Sequence, residues 1–362
     1  MAKSPRKPRT KWTMNDAIVM VSPGTQLREA ISLIIQSRLG ALICIGPPKR
    51  LSQYSEQGVE IDAELTPQLV YELAKMDGAI ILNADCTRIM YANRFLVADS
   101  SIPSDETGTR HRSAERTARK AKCMVIAVSE RRSSVTLYVN DERHVMDSIA
   151  TLLNKATQAI QTLEKYISVL DTAITDLSTR EFEDMVTIFD VCKVVQRYEM
   201  VVRIGEEIKP FVLELGDEGR LINMQLEELL KPIEESRLVV RDYYQARSGV
   251  DYEGALNRLG DLSQSDLLDL SHISSALGYG TNLKSIDTYL SSRGYRILTQ
   301  THRLTPPIIE GLVQKFASLQ QIMRAPKEEL VELEGVGEVL AERVRLSLNS
   351  LRNQLALDRS RR

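Results

Sequence analysis

The sequence predicts a multidomain α/β plus all-α protein: an N-terminal α/β domain with a mainly buried sheet, a helical spacer, and a short-helical, basic C-terminal domain. Three observations predict it. Helical and strand patterns alternate from residue 14 to about 142, as in a layered α/β domain. No Gly or Pro occurs between Gly108 and Gly205, and the later part of that interval is helical in period. From 293 to 362 the chain carries twelve Lys and Arg against eight Asp and Glu. At 362 residues, two or three domains are expected, because single cores stop growing below that size.

Residues 1–13 are basic and have no apolar run behind them, so they read as a flexible arm and not as a secretory signal. The α/β domain follows over 14–142. "PGTQLREAISLIIQSRLG" has helical spacing and stops at Gly40, and "ALICIG" is a short apolar strand. In "LTPQLVYELAKM", Thr66 is placed to cap a helix and Pro67 to occupy its first position. "GAIIL", "RIMYANRFLV", "CMVIAVS" and "VTLYV" are β-rich runs bounded by turn residues.

The spacer, 143–290, opens with apolar residues at Val145, Ile149, Leu152, Ala156, Ile160, Leu163, Ile167, Leu170, Ile174 and Leu177. Steps of three and four predict one long amphipathic helix, and "LINMQLEELLKPIEESRLVVRDYYQA" predicts a further helical stretch. The apolar stripe is either the core of a bundle or a surface for oligomerisation.

Over 291–362, "LEGVGEVLAERV" resembles a helix-hairpin-helix motif. Gly335, Val336 and Gly337 would make a tight turn whose backbone N–H groups meet a phosphate at the next helix start. Such a contact reads the DNA backbone, so it is salt-sensitive and indifferent to sequence. A purely structural helical turn is the alternative.

The stretch "DETGTRHRSAERTARK", 105–120, holds four arginines, a histidine and a lysine behind an acidic turn. It precedes "VIAVS", so it reads as a helix feeding a strand, with Gly108 and Thr109 at its start and Thr109 as its N-cap. Arg110, His111 and Arg112 then sit at the first turn, where free N–H groups, the positive dipole end and two guanidiniums suit a polyphosphate. Arg116, Arg119, Lys120 and Lys122 read as a solvated face. Upstream, Asp77 precedes Gly78 and Ala79 at a strand entry. Its carboxylate could hold a divalent metal, activate a hydroxyl, or only cap a turn.

Together, "DGA" at 77–79 and "RHR" at 110–112 in this α/β setting resemble the diadenylate cyclase domain. The order of cyclase domain, helical spacer and helix-hairpin-helix tail is similar to members of that family over essentially the whole chain. The resemblance implies a mixed central sheet and a nucleotidyltransferase that condenses two ATP into cyclic di-AMP and two pyrophosphates. Two domains would face each other, each 3′-hydroxyl attacking the partner nucleotide's α-phosphate, with Mg²⁺ or Mn²⁺. It implies Asp77 at the metal and the attacking hydroxyl, Gly78 and Ala79 against the nucleotide, and Leu96 at the adenine. Thr109, Arg110, His111, Arg112 and Ser113 would hold phosphates. The family often has threonine at the last of these positions, and serine keeps the hydroxyl. Ser129, Glu130 and Arg132 would border the site. Also implied are a homo-octamer, slowing of synthesis by branched DNA such as Holliday junctions, and a bacterial cytoplasmic, nucleoid-associated location.

Other classes are weighed against this. A P-loop NTPase is excluded because no G-x-x-x-x-G-K-[ST] occurs. No apolar run approaches the roughly 20 residues of a membrane span. Cys44, Cys86, Cys123 and Cys192 form no C-x-x-C and read as reduced cytoplasmic thiols. A net charge of -2 confines nucleic-acid binding to a local patch. A DNA-repair nuclease or ligase module would need clustered acidic metal ligands, which an arginine-rich helix start does not suit. A DNA-binding scaffold that only senses ATP is the remaining alternative.

Overall fold

In the computed structural model, residues 12–97, 99–246, 249, 251–281, 287–301 and 304–360 are described. The basic arm lies outside them up to residue 11. Its last two residues were expected to be flexible and are not: Trp12 is buried in the core, and Thr13 caps the first helix in a reciprocal pair with Asp16.

The first compact unit comprises Met1–Gln158 with Ile208–Asn223. Its elements run α1 (Met14–Val21), α2 (Gln26–Gln36), β1 (Ala41–Ile45), α3 (Pro48–Leu51), β2 (Ser55–Glu56), β3 (Val59–Glu64) and α4 (Pro67–Leu73). After these come β4 (Ala79–Leu82), β5 (Arg88–Leu96), α5 (Thr109–Ala121), β6 (Met124–Ser129), β7 (Ser134–Val139) and β8 (Glu142–Val145). The sheet order is β2-β5-β4-β1-β6-β7-β8, with β3 also on β5. β1 and β4 are parallel and the other pairs antiparallel, so the sheet is mixed, as expected.

Side chains alternate across β1 and β6, which buries both faces. Ile43, Ile45, Met124, Ile126 and Val128 join α1, α2 and α4 on one face. Leu42, Cys44, Val125 and Ala127 join α5 on the other. The α5 face is built from Ala114, Ala118 and Ala121, at helical spacing, and small side chains let this helix lie close to the sheet. Pro67 and the Thr66 cap start α4 as the sequence predicts. β8 takes Val145, which the periodicity had assigned to the spacer helix. Strand pairing with β7 overrides a helical spacing that begins only four residues later.

The spacer helix is α6 (Ile149–Glu183), 35 residues long. The two-residue β9 (Val186–Thr187) leads into α7 (Ile188–Leu215). Both helices contribute to the first unit: Leu152 and Ala156 pack with Leu215. Glu214 is almost buried, bonded to His144 Nε2 (2.8 Å) and to the N–H of Asp147 (2.7 Å).

The second unit comprises Ala159–Glu207 with Met224–Arg362. It contains the remainder of α6 and α7, most of α8 (Arg220–Leu230), α9 (Leu238–Tyr243), α10 (Tyr252–Asp261) and α11 (Leu270–Ala276). β10 (Tyr289–Leu290), α12 (Tyr295–Thr299), α13 (Pro306–Phe316), α14 (Leu319–Arg324), α15 (Lys327–Val331) and α16 (Glu338–Ser360) follow. The expected continuous helix over "LINMQLEELLKPIEESRLVVRDYYQA" is broken: residues 231–237 form a 3₁₀ segment between α8 and α9. Pro232 lacks the N–H that an α-helix interior needs. A short β9–β10 ladder interrupts the helical texture.

Around α12, Arg296 is buried and ion-pairs with buried Glu181, which also accepts from the Tyr243 hydroxyl (2.8 Å). Asp242 accepts the N–H groups of Tyr295 and Arg296 (2.6 and 3.1 Å). Burial and the nearby Glu181 push its carboxyl up to about 7.

The described cysteines are all free, and burial pushes the Cys86, Cys123 and Cys192 thiols up to about 12. Among the described residues, no single helix is long and apolar enough to cross a membrane.

Candidate functional site: a cleft at the start of α5

A cleft of about 500 Å³ opens in the first unit, where the ends of β1, β4 and β5 meet the N-terminus of α5. Its walls are built by local backbone devices. Gly78 has φ +88, and a Cβ there would lie 2.9 Å from the Arg94 carbonyl oxygen. Only glycine allows this crossing. Opposite it, β5 bulges: Ala79 pairs Arg94, but Ile81 pairs Tyr91, and Asn93 takes φ 53. The extra residue re-aims the end of β5 and brings Arg94, Phe95 and Leu96 to the cleft.

Asp77 lines the cleft and is exposed, and its carboxylate has no hydrogen-bond or ion-pair partner among the described residues. Thr109, Arg110 and Ser113 line it from α5. Thr109 was expected to be the N-cap, and it is not. Gly108 caps the helix with no side-chain bond, and Thr109 is the first helical residue. Its hydroxyl is therefore not consumed in capping. Cations at a helix N-terminus oppose the macrodipole by about 0.3–1 kcal/mol each. An anion held there would reverse that cost for Arg110.

The cleft's other cations are engaged. Arg94 bonds Ser55 Oγ (3.1 Å) and the carbonyls of Ser55 and Gln57, and Lys75 pairs with Glu72 (2.8 Å). Arg110 has no such partner among the described residues. Glu130 adds a second carboxylate to the rim. Phe95, 71% exposed, joins Leu39, Leu42, Met76 and Leu96 in an apolar wall.

Not every candidate residue reaches the cleft. Ala79 is fully buried in the strand. His111 turns away from it: Nδ1 meets the Tyr138 hydroxyl at 2.9 Å, and that hydroxyl donates to Glu106 (2.7 Å). Arg143 pairs with the same carboxylate (2.8 Å). Arg112 donates to the Glu106 carbonyl (3.2 and 3.3 Å). Burial lowers the His111 pKa. Glu106 opposes this, while Arg143, Arg110 and Arg132 reinforce it. Burial raises the Tyr138 phenol, helped by its bond to Glu106. Ser129 ends β6 and accepts the Arg132 N–H (3.4 Å), and neither lines the cleft.

The basic residues further along α5 are more than a solvated face. Arg116 bonds the Ile102 carbonyl (2.8 Å), Arg119 the Pro103 carbonyl (2.8 Å), and Lys120 the Asp99 carboxylate (2.8 Å). They tie the 99–104 loop to the helix. Gly40, Lys75, Arg94 and Phe95 also line the cleft, and no local sequence pattern marks them. A glycine after a helix reads as a stop, and strand-end residues carry no local sign of a bulge.

Tyr138→Phe should lower stability by about 1–3 kcal/mol in denaturant unfolding, because it leaves His111 and Glu106 short of a buried partner. An unchanged midpoint would mean water replaces the hydroxyl without cost.

In the second unit, Gly335 has φ +85, and Val336 is buried with its N–H donated to the Leu333 carbonyl (3.0 Å), so the Val336 amide is engaged within the turn. A Cβ at Gly337 would meet nothing within 4 Å. α16 then begins at Glu338, which pairs with Lys327 (3.1 Å).

Residues 28–143 match the family model "DisA bacterial checkpoint controller nucleotide-binding", and 146–286 match "DisA bacterial checkpoint controller linker region". The DNA integrity scanning protein DisA of Carboxydothermus hydrogenoformans is 48% identical over 93% of this chain and 96% of its own. That of Clostridium kluyveri is 42% identical over 95% and 97%. The Clostridium botulinum protein is 43% identical over 97% and 99%. A solved structure of DacA from Staphylococcus aureus overlaps 37% of this chain and 89% of its own at 24% identity, with a TM-score of 0.30, too low to argue from. Near-complete, mutual coverage at this identity leaves one assignment: the chain belongs to the DisA family of diadenylate cyclases.

Proposed function

We propose that this cyclase binds one ATP in the cleft at the start of α5 and joins it to a second ATP held by a facing copy, giving cyclic di-AMP. The observation that carries the reading is the convergence of Asp77, Gly78, Leu96, Thr109, Arg110 and Ser113 on one cleft. Its size is that of a site for one small ligand. The apolar wall with Leu96 and Phe95 suits a base, and the α5 N-terminus with Arg110 suits the phosphates. His111 and Arg112 support the first turn from behind. Glu130 borders the site, with Ser129 and Arg132 beside it.

In the reaction each 3′-oxygen forms a bond to the partner's α-phosphorus, each α-phosphorus loses pyrophosphate, and two hydroxyl protons are released. Ring closure uses two equivalent attacks, so one cleft cannot complete it without a twin, and a homo-oligomer follows. Phosphoryl transfer needs positioning and charge neutralisation more than a covalent nucleophile. Arg110 and the α5 amides hold the phosphates, and Asp77 holds or takes the hydroxyl proton.

The carboxylates of Asp77 and Glu130 on the same cleft fit Mg²⁺ or Mn²⁺, which such sites hold by one or two carboxylates plus substrate phosphates. When bound, the ion would neutralise phosphate charge.

Further parts of the reading are an octameric assembly, a bacterial cytoplasmic and nucleoid-associated location, and domains at 14–142, 143–290 and 291–362. The last of these would bind branched DNA such as Holliday junctions through the turn at Gly335, Val336 and Gly337, slowing synthesis. The relatives' name, DNA integrity scanning protein, supports DNA as partner.

Incubating the purified protein with ATP and Mg²⁺ or Mn²⁺, and resolving products by chromatography, tests the activity. ATP binding without cyclic di-AMP would favour a sensor. Gly337→Asp should leave the chain folded, since the space there is open. It should weaken junction binding by about tenfold or more, because a carboxylate faces the phosphate. Undiminished binding would move the DNA site elsewhere.

A further inference from the structure

Gly40 lies between α2 and β1 and forms part of the cleft wall. A Cβ built on it would stand 2.1 Å from Nη1, 2.6 Å from Cζ and 2.9 Å from Nη2 of Arg110. The guanidinium fork therefore lies directly over this residue, in space that any side chain would occupy. Gly40 does not have a positive φ, so its backbone freedom is not what the position uses. What matters is the missing side chain.

The other cations of the cleft are held by hydrogen bonds: Arg94 to carbonyls of the 55–57 segment, Lys75 to Glu72. Arg110 is exposed and makes no such bond among the described residues. A long side chain in that situation keeps most of its rotamer freedom unless shape restricts it. The bare backbone of Gly40 supplies that restriction, offering a flat surface on which a planar cation can lie beside the α5 amides. Lysine, with a tetrahedral head, would not use such a seat in the same way.

We propose that Gly40 is a positioning residue of the cyclase: its missing side chain makes the seat that holds the Arg110 guanidinium toward the phosphates of bound ATP. The proposal rests on the reading of Arg110 as a phosphate ligand, and the experiment separates the two. The atoms a new Cβ would strike are the far end of a flexible side chain, not backbone. A substituted chain can therefore yield cheaply by swinging Arg110 into solvent. The fold survives and the placement is lost.

The test is a double-mutant cycle on the full-length protein, with cyclic di-AMP formation from Mg²⁺-ATP as readout and thermal melting as control. Gly40→Ala should melt like the wild type and lower kcat/KM by roughly 10- to 100-fold, the scale of a misplacement near 1 Å. In an Arg110→Ala background the same change should cost less than about twofold, because the displaced group is already gone. Calorimetric binding of a nonhydrolysable ATP analogue should follow the same pattern. If Gly40→Ala unfolds the chain, Gly40→Ala with Arg110→Lys serves: a single, slimmer head relieves the clash, and folding should be restored. Wild-type efficiency in Gly40→Ala overturns the proposal. So does an equal loss in both backgrounds, which would mean Gly40 acts on something other than Arg110. Full activity in Arg110→Ala alone overturns the phosphate reading itself, and the seat with it.

Discussion

Replacing Asp77 with Asn is expected to abolish cyclic di-AMP synthesis, by at least about 100-fold, while the chain stays folded. General acid–base groups contribute on that scale, and the amide can neither take a proton nor hold a divalent cation as a carboxylate does. The side chain is exposed and makes no hydrogen bond or ion pair among the described residues, so folding does not depend on its charge. Unchanged melting with lost product is the expected pair of results. Near-normal product formation would remove Asp77 from the chemistry. Retained binding of a nonhydrolysable ATP analogue would show that the loss lies in the reaction rather than in nucleotide affinity.

Arg110→Ala is expected to lower kcat/KM for ATP by about 100- to 1000-fold, the cost of removing one preorganised donor from a charged transition state. Arg110→Lys should recover only part of this, because an ammonium cannot engage two phosphate oxygens with a planar fork. Arg112→Ala should act differently. Its guanidinium is spent on the Glu106 carbonyl, so its loss loosens the approach to α5 and should be visible in stability as well as rate. Equal effects of the two alanine variants on rate, with no stability difference, would argue that Arg112 leaves Glu106 and reaches the nucleotide.

Much of the fold was legible as local pattern. The buried strands β1, β4, β6 and β7 are apolar runs between turn residues, and the cap at Thr66 with Pro67 starts α4 as written. The stripe with steps of three and four marked α6 from Ile149 onward, but it began one turn early, at Val145 of β8. Less legible were β2 and β3, which are short or largely exposed and gain their hydrogen bonds from a partner distant in sequence. Trp12 was read as part of the arm, and its burial comes from packing against core residues distant in sequence. Of the site, Asp77, Gly78, Leu96, Thr109, Arg110, Ser113 and Glu130 were named from sequence and share one cleft.

By itself, the sequence determined where two special backbone positions fall: a glycine before β4 and a basic helix start at 108–112, though not which residue caps it. These depend on a few consecutive residues, through allowed dihedrals and free helix-terminal N–H groups. Only the tertiary structure decided which of the charged side chains serve the cleft. Arg110 reaches it because Gly40, from the far side of the sheet domain's sequence, leaves room for its guanidinium. His111 turns away because Tyr138, on β7, offers a hydroxyl, and Arg94 is delivered by a bulge between two paired strands. A side chain's direction is settled by partners that pattern along the chain cannot bring together, because packing and hydrogen bonding act through space and not along the sequence.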